Sequence, residues 1–276
     1  MYKYMDIRED IDFLYSRLDS RWNSSNEIKK YMHRCKIEKL LSLLESEKTL
    51  LDVCRGGSVD GILGVMAAKK GLKVTICSIK QEYLDVIRRF AELNDAKIEK
   101  YIICKPEELS FADNSFDYVS CIHVLEHMEN LDKSFSELYR VSKKNVLVAV
   151  PTCLNLCVFA RLGGGNYYDF NLRILIQELF GGLKVLLALI LMKDGVYEYN
   201  EEKGEYIKHF QRFPWKFIRE IKKHNFRLIK YGADGICFPW FNGMMRIQEK
   251  LDKYSYSFLL RNFGFGTHYY LEKDKN

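Results

Sequence analysis

From Thr49 to Val150 short apolar runs alternate with segments of helical periodicity, and no other feature restricts the fold as tightly. Thr49–Cys54 is an apolar run that stops at Arg55-Gly56-Gly57, and Val59–Lys70 carries a helical pattern closed by Gly71. Lys73–Cys77 and Tyr101–Cys104 read as the second and third strands. Between them Tyr83, Leu84, Ile87, Phe90 and Ala91 recur at helical spacing in Glu82–Leu93. Phe116–Cys121 and Asn145–Val150 read as strands four and five, on either side of a helix over Leu131–Val141. Short strands separated by whole helices do not pair as hairpins. They predict a parallel, doubly wound α/β sheet covered on both faces.

Ahead of this core, Ile7, Ile11, Phe13, Leu14 and Leu18 predict a short amphipathic helix over 6–19. Ser24 followed by Glu27 predicts a capping box that starts a second helix, running to about Ser46. After Pro151 the alternation is interrupted by residues 152–208, which hold Gly163-Gly164-Gly165 and the apolar stretch Arg173–Met192. It resumes with a helix over Phe213–His224 and strands over Phe226–Tyr231 and Thr267–Glu272, with a further helix near Phe241–Tyr254.

With 47% hydrophobic and 29% charged residues, the 276-residue chain can bury a full core. Residues 151–276 carry 19 basic and 13 acidic side chains against 24 of each in 1–150, so the net charge of +6 belongs to the C-terminal part. Such a face attracts anions, and peripheral contact with an anionic membrane is one expectation. Aromatic and basic residues mix in 206–231 without forming a recognisable RNA-binding module, so no specific nucleic acid is expected. Val185–Met192, the longest unbroken apolar run of the insertion, is far short of the ~20 residues a membrane span requires. A lid over the site, an interfacial helix serving a lipid-linked substrate, or ordinary core all fit it. The eight cysteines show no C-x-x-C pairing and the opening MYKYMDIRED is charged, so reduced thiols in the cytoplasm are expected. The oligomeric state is not encoded in these patterns.

Phe111–His127 reads FADNSFDYVSCIHVLEH. This stretch resembles the fourth-strand segment of class I methyltransferases, LPF-x-D-x-SFD-x-V-x(3)-VLEH, which use S-adenosylmethionine (SAM). The resemblance covers about 48–151 well and 206–232 loosely. It implies a Rossmann-like sheet, mostly parallel with an antiparallel last strand, to which the chain is expected to add a helical insertion or lid. The N-terminal helices and the insertions have no specific match, and the expected division is N-terminal helices over 1–47, a SAM-binding core over 48–151, a helical insertion or lid over 152–208 and the remainder of the fold over 209–276.

The resemblance fixes the register of the cofactor positions. Family members read L-D-V-G-C-G-x-G after the first strand, because glycine lets backbone approach the ligand. This chain reads LDVCRGGSVDG over Leu51–Gly61, with Asp52 and Gly56 at family positions. Cys54 and Ser58 replace two of the glycines, and Gly57 compensates if the loop slips by one residue. The acid that holds the ribose hydroxyls is replaced by Ser78, followed by Ile79, and the acid near the adenine amino group is replaced by Lys105. Glu82 and Glu107 lie near enough in sequence to substitute in part. The resemblance also places Cys121 and Ile122, at the end of strand four, beside the cofactor. A hydrogen bond to a charged partner contributes roughly 1.5–3 kcal/mol, so losing two weakens binding on the order of a hundredfold or more.

Two readings stay open at this point. One is a SAM-dependent methyltransferase acting on an O or N atom of a small-molecule, glycan or lipid-linked acceptor. The other is a methyltransferase-like binding or scaffold protein whose cleft is empty or takes an anion near Arg55, Lys80 and Lys105. Methyl transfer needs alignment above all, and a base only where the acceptor must lose a proton. His123, Glu126, His127 and His209 are the candidates for that base, with the catalytic role placed on the three histidines. The i, i+3, i+4 spacing of His123, Glu126 and His127 also suits a metal, but helix capping and packing explain it as well, and no metal is assigned.

Overall fold

The computed structural model describes residues 11–55, 61–128, 130–151, 213–236 and 244–274, Phe180, Leu183, Leu187, Ile190 and Leu191, and the backbone of 196–200 and 205–209. Two helices, α1 (Ile11–Trp22) and α2 (Glu27–Leu41), precede the alternating core. The core runs β1 (Thr49–Val53), α3 (Ile62–Lys69), β2 (Lys73–Ser78), α4 (Gln81–Leu93), β3 (Lys100–Ile103), β4 (Phe116–Ile122), α5 (Leu131–Val141) and β5 (Ser142–Pro151). Then come a hairpin of β6 (Val196–Asn200) and β7 (Glu205–His209), α6 (Pro214–Lys223), β8 (Phe226–Asp234), α7 (Met245–Asp252) and β9 (Gly266–Lys273).

Seven strands form one sheet in the order β3-β2-β1-β4-β5-β9-β8. The pairings among β1 to β5 are parallel, and β9 lies antiparallel between β5 and β8. This is the doubly wound sheet that the alternation predicts, with the antiparallel last strand that the resemblance implies. Strand order reverses at β1, where β2 and β4 flank it, so the ligand crevice of such a sheet opens beyond the carboxyl ends there.

Each face of the sheet has its own apolar cluster. Leu50, Val74 and Ile76 face α1 to α4 through Leu14, Ile37, Leu40, Leu63, Leu84 and Phe90. Leu51, Val119 and Val146 face α5 and α6 through Phe135, Leu138, Phe217 and Ile221. Burying a side chain such as Phe135 or Leu138 contributes about 1.5–3 kcal/mol, which is how an amphipathic helix finds its face.

Three local expectations are corrected. Asn26, not Ser24, caps α2: its side chain accepts the Lys29 amide at 3.0 Å, while Ser24 Oγ accepts the Asn26 amide at 3.2 Å. Glu27 is thereby in the first turn, where a carboxylate complements the helix dipole, and the helix ends at Leu41. The region 152–208 is not purely helical, because β6 and β7 pair Val196 with His209 through Asn200 with Glu205. The period-2 alternation of VYEYN and EYIKH is the signal for it. Finally, the residues after β4 form only a single 3-10 turn, Leu125–His127, rather than a helix.

Candidate functional site

The carboxyl end of β1 is built around Asp52, which is 1% exposed. Its Oδ2 accepts the Gly64 amide at 2.9 Å and its Oδ1 accepts the Ser120 hydroxyl at 2.6 Å. Asp52 therefore ties β1 to β4 and to the start of α3. The Cys54 amide donates to the Cys77 carbonyl at 2.8 Å, extending the β1–β2 pairing up to the loop. On the far side Gly61 has φ +85°, and a Cβ there would lie 2.6 Å from Ile87 Cδ1. Both the left-handed backbone and the contact require glycine. Gly56, Gly57 and Ser58 lie outside the described residues.

At the end of β2 the Ser78 side chain is fully buried, and its Oγ has no hydrogen-bond partner among the described residues. Its carbonyl accepts the Cys104 amide at 2.9 Å. A buried hydroxyl without a partner is costly, and it stands where the resemblance puts a ribose contact. Ile79 is half-buried, and Cys104, Cys121 and Ile122 are buried, so the neighbouring walls are apolar. These residues fit an adenosyl group, whose ribose hydroxyls would find Ser78. Lys105 is exposed and bridges to Glu108, while Glu107 is half-buried in the same turn.

The four cysteines at the strand ends, Cys54, Cys77, Cys104 and Cys121, are all buried thiols outside any disulfide. The Cys77 thiol is pushed well above its ordinary pKa by its hydrogen bond to Cys104 and by burial, so it behaves as an inert small side chain. Among the described residues no three His, Cys, Asp or Glu side chains converge as a metal site.

β4 delivers the reactive candidate. His123 follows it directly, its amide donating to the Ala149 carbonyl at 2.8 Å. Its φ of +54° is left-handed, a strained state for a residue with a side chain and one that concentrates at functional sites. Its Nδ1 lies 3.2 Å from Oε1 of Glu126, which is 3% exposed. The predicted i, i+3 partnership thus forms without a helix, because the left-handed turn swings the imidazole back over the 3-10 turn. His127 is half-buried on that turn. β7, which ends at His209, runs beside the same 3-10 turn. The His209 side chain lies outside the described residues.

Sequence reasoning missed a set of polar groups on the same side. His33 and Lys36 of α2 are buried, and His33 is held well below its usual pKa by burial and then by the charges of Lys36, Arg21, His123 and Lys29. At the end of β8, Asp234 pairs with His268 Nδ1 of β9, and His268 Nε2 lies 3.0 Å from the Tyr256 hydroxyl. The Tyr256 phenol is pushed up to about 12 by burial and by the nearby Asp234, Asp252 and Cys35. A polar residue at the last position of a strand was the available signal, and it carries meaning only once the strand order is known.

Comparison with known proteins agrees with this geometry. Residues 51–150 match the methyltransferase-domain family. The chain is 26% identical over 189 residues to the ubiquinone/menaquinone biosynthesis C-methyltransferase of Rickettsia prowazekii, covering 63% of this chain and 73% of that protein. It is 26% identical over 210 residues to the ubiquinone biosynthesis O-methyltransferase of Rickettsia conorii, covering 75% and 71%. Against other Rickettsia proteins of the same two kinds the match spans 54% to 64% of their length. A SAM-dependent methyltransferase from Methanosarcina mazei superposes with a TM-score of 0.57 at 15% identity, covering 86% of this chain and 98% of that one. The sheet order, the motif on β4 and the family match agree that residues 51–150 form a methyltransferase domain, and the superposition shows that the sheet has the fold of SAM-dependent methyltransferases.

Proposed function

We propose that this protein transfers the SAM methyl group to a hydroxylated ring of a small, quinol-like molecule, with His123 as the base. The observation that carries this reading is the buried Glu126 carboxylate 3.2 Å from His123 Nδ1, at the carboxyl end of β4. Bound SAM supplies an electrophilic methyl on a sulfonium whose leaving thioether is neutral. A neutral ring hydroxyl is a poor nucleophile, so a base raises the rate by removing its proton, typically 10²–10⁴-fold. Glu126 orients the imidazole and stabilises it once it carries the acceptor's proton, the role a carboxylate plays behind a catalytic histidine. Ser78 holds the cofactor ribose, and buried Asp52 keeps the first loop in place.

Loss of the ring proton makes both the oxygen and the adjacent ring carbon nucleophilic. The same base therefore serves O- or C-methylation, and the relatives include both kinds. A lipid tail on the acceptor is supported by Phe180, Leu183, Leu187, Ile190 and Leu191. All are exposed, and their spacing puts them along one helical face. No helix among the described residues is long and apolar enough to cross a membrane.

The test is transfer of a radiolabelled methyl group from SAM to catechol and to hydroquinone, with the product position read by NMR. Methylated product that falls a hundredfold or more in His123→Asn, at unchanged SAM affinity by calorimetry, is the expected result. Absence of SAM binding, or a His123→Asn enzyme as fast as wild type, overturns the reading.

A further inference from the structure

Asp234 and His123 come from opposite halves of the chain and meet over a residue without a side chain. A Cβ placed on Gly266 would lie 3.2 Å from Asp234 Oδ2, 3.2 Å from the Val150 carbonyl oxygen and 3.6 Å from His123 Cε1. The carboxylate and the candidate base therefore border the same spot. That spot is at the carboxyl edge of the sheet, where β4, β5 and β8 end and β9 begins.

Asp234 is almost completely buried. Its Oδ1 is taken by His268, but Oδ2 has no hydrogen-bond partner among the described residues. A buried carboxylate oxygen left unpaired is expensive, and native structures seldom keep one without a use. Its charge, by contrast, is already compensated. Burial alone would raise the Asp234 pKa, yet His268, Lys36 and Lys39 outweigh burial and hold it below the usual carboxylate range. Lys39 is fixed in place by the Asp252 carboxylate at 2.7 Å and the Ala233 carbonyl at 2.9 Å. Among the described residues, what Oδ2 lacks is a hydrogen-bond donor and not a counter-ion. A neutral hydroxyl meets that need, whereas an ammonium would bring charge that the surrounding cations oppose.

We propose that Asp234 and Gly266 form a recognition subsite in which Asp234 Oδ2 accepts a hydrogen bond from a neutral hydroxyl of the acceptor. This subsite rests on the methyl-transfer reading and adds to it. One hydroxyl of the acceptor faces His123 and gives up its proton, while a neighbouring hydroxyl stays protonated on Asp234. The acceptor class is then a ring with adjacent hydroxyls. A site that hydrogen-bonds a substrate hydroxyl rejects an analogue lacking it far more strongly than an apolar pocket rejects a size change. The absence of a side chain at Gly266 is what lets carboxylate and imidazole approach the same atom group.

The experiment uses the full chain saturated with S-adenosylhomocysteine (SAH), with catechol and its dimethyl ether as probes. Binding is read by saturation-transfer NMR and competition, and SAH binding by calorimetry. Catechol is expected to bind at least tenfold tighter than the dimethyl ether. Asp234→Asn and Gly266→Ala are each expected to weaken catechol by about tenfold or more while keeping SAH affinity. Asparagine preserves the shape of the buried site, and alanine leaves the Asp234–His268 pair chemically intact, so one variant guards against a folding defect in the other. Equal binding of catechol and its dimethyl ether, or full catechol affinity in Asp234→Asn, overturns the subsite and leaves the methyl-transfer reading standing. Wild-type protein that does not bind SAH overturns both.

Discussion

The Asp52 carboxylate and the Gly64 amide are 2.9 Å apart, and the bond between them closes the first β-loop-α unit from underneath. With the Ser120 hydroxyl on its other oxygen, this carboxylate is the buried junction of β1, β4 and α3. Asp52→Asn turns one accepting oxygen into a donor facing a donor. The expected cost is about 2–4 kcal/mol, which lowers the thermal midpoint by roughly 5–15 °C in a chain of this size. SAM affinity falls with it because the loop loses its anchor. Differential scanning fluorimetry with and without SAM checks both effects.

Ser78 is expected to separate fold from ligand. Its hydroxyl is buried without a hydrogen-bond partner among the described residues, so Ser78→Ala is expected to leave the thermal midpoint of the ligand-free protein unchanged or raise it. The same substitution weakens SAM about three- to tenfold by calorimetry. Ser78→Asp restores the residue type that related enzymes use, and is expected to tighten SAM by about tenfold while lowering ligand-free stability.

Arg140 is expected to control the segment that carries the β4 motif. Its guanidinium reaches the carbonyls of Phe111 at 2.6 Å and Leu109 at 2.8 Å, Asp113 at 2.9 Å and both oxygens of Glu137 at 2.8 Å. A planar fork makes these bonds together and a lysine does not. Arg140→Lys should therefore increase amide hydrogen exchange over 109–115 by tenfold or more while α4 and β2 keep their protection.

Asp117 is expected to report acid stability. Burial acts to raise its pKa, but the Thr49 amide, the Thr49 hydroxyl and Lys143 outweigh this and bring it to about 2. A depressed folded pKa contributes stability that is full above the unfolded value of about 3.9. That contribution is lost as pH falls from about 4 through about 2. Thr49→Val removes the hydroxyl that donates to Asp117 Oδ2 at 2.7 Å. The Asp117 carboxyl should then titrate nearer 3.9 by NMR, and the variant should lose less stability than wild type between pH 4 and pH 2.

How much of this was legible beforehand depends on how local the signal is. The order of strands and helices from Thr49 to Pro151 follows from periodicity, because each element buries one face whatever its partners are. α5 appears at the predicted Leu131–Val141 boundaries, since Asn130 caps it and Phe135 and Leu138 lie at core spacing. The pairing of His123 with Glu126 was legible as spacing. Its geometry was not, because a left-handed residue after β4 has no sequence mark when that residue is not glycine. Asp234 and His268 were illegible as a pair: 34 residues separate them, and only the antiparallel placement of β9 brings them together. Lys36 and His33 read as ordinary polar positions on a helix until α2 is packed against the sheet.

The position of β9 also sets an order of assembly. Strands β3, β2, β1, β4 and β5 pair with one another through short crossovers and need nothing made later. β8 is synthesised before β9 but joins the sheet only through it. During synthesis β8 therefore waits unpaired, with Asp234 at its end, until the last strand has left the ribosome and slides in beside β5. The cofactor half of the sheet can close early, whereas the side that meets the acceptor is completed by a pairing of high sequence separation, the slow kind in folding. A newly made molecule is accordingly expected to gain its SAM-binding side first and its acceptor-binding side last.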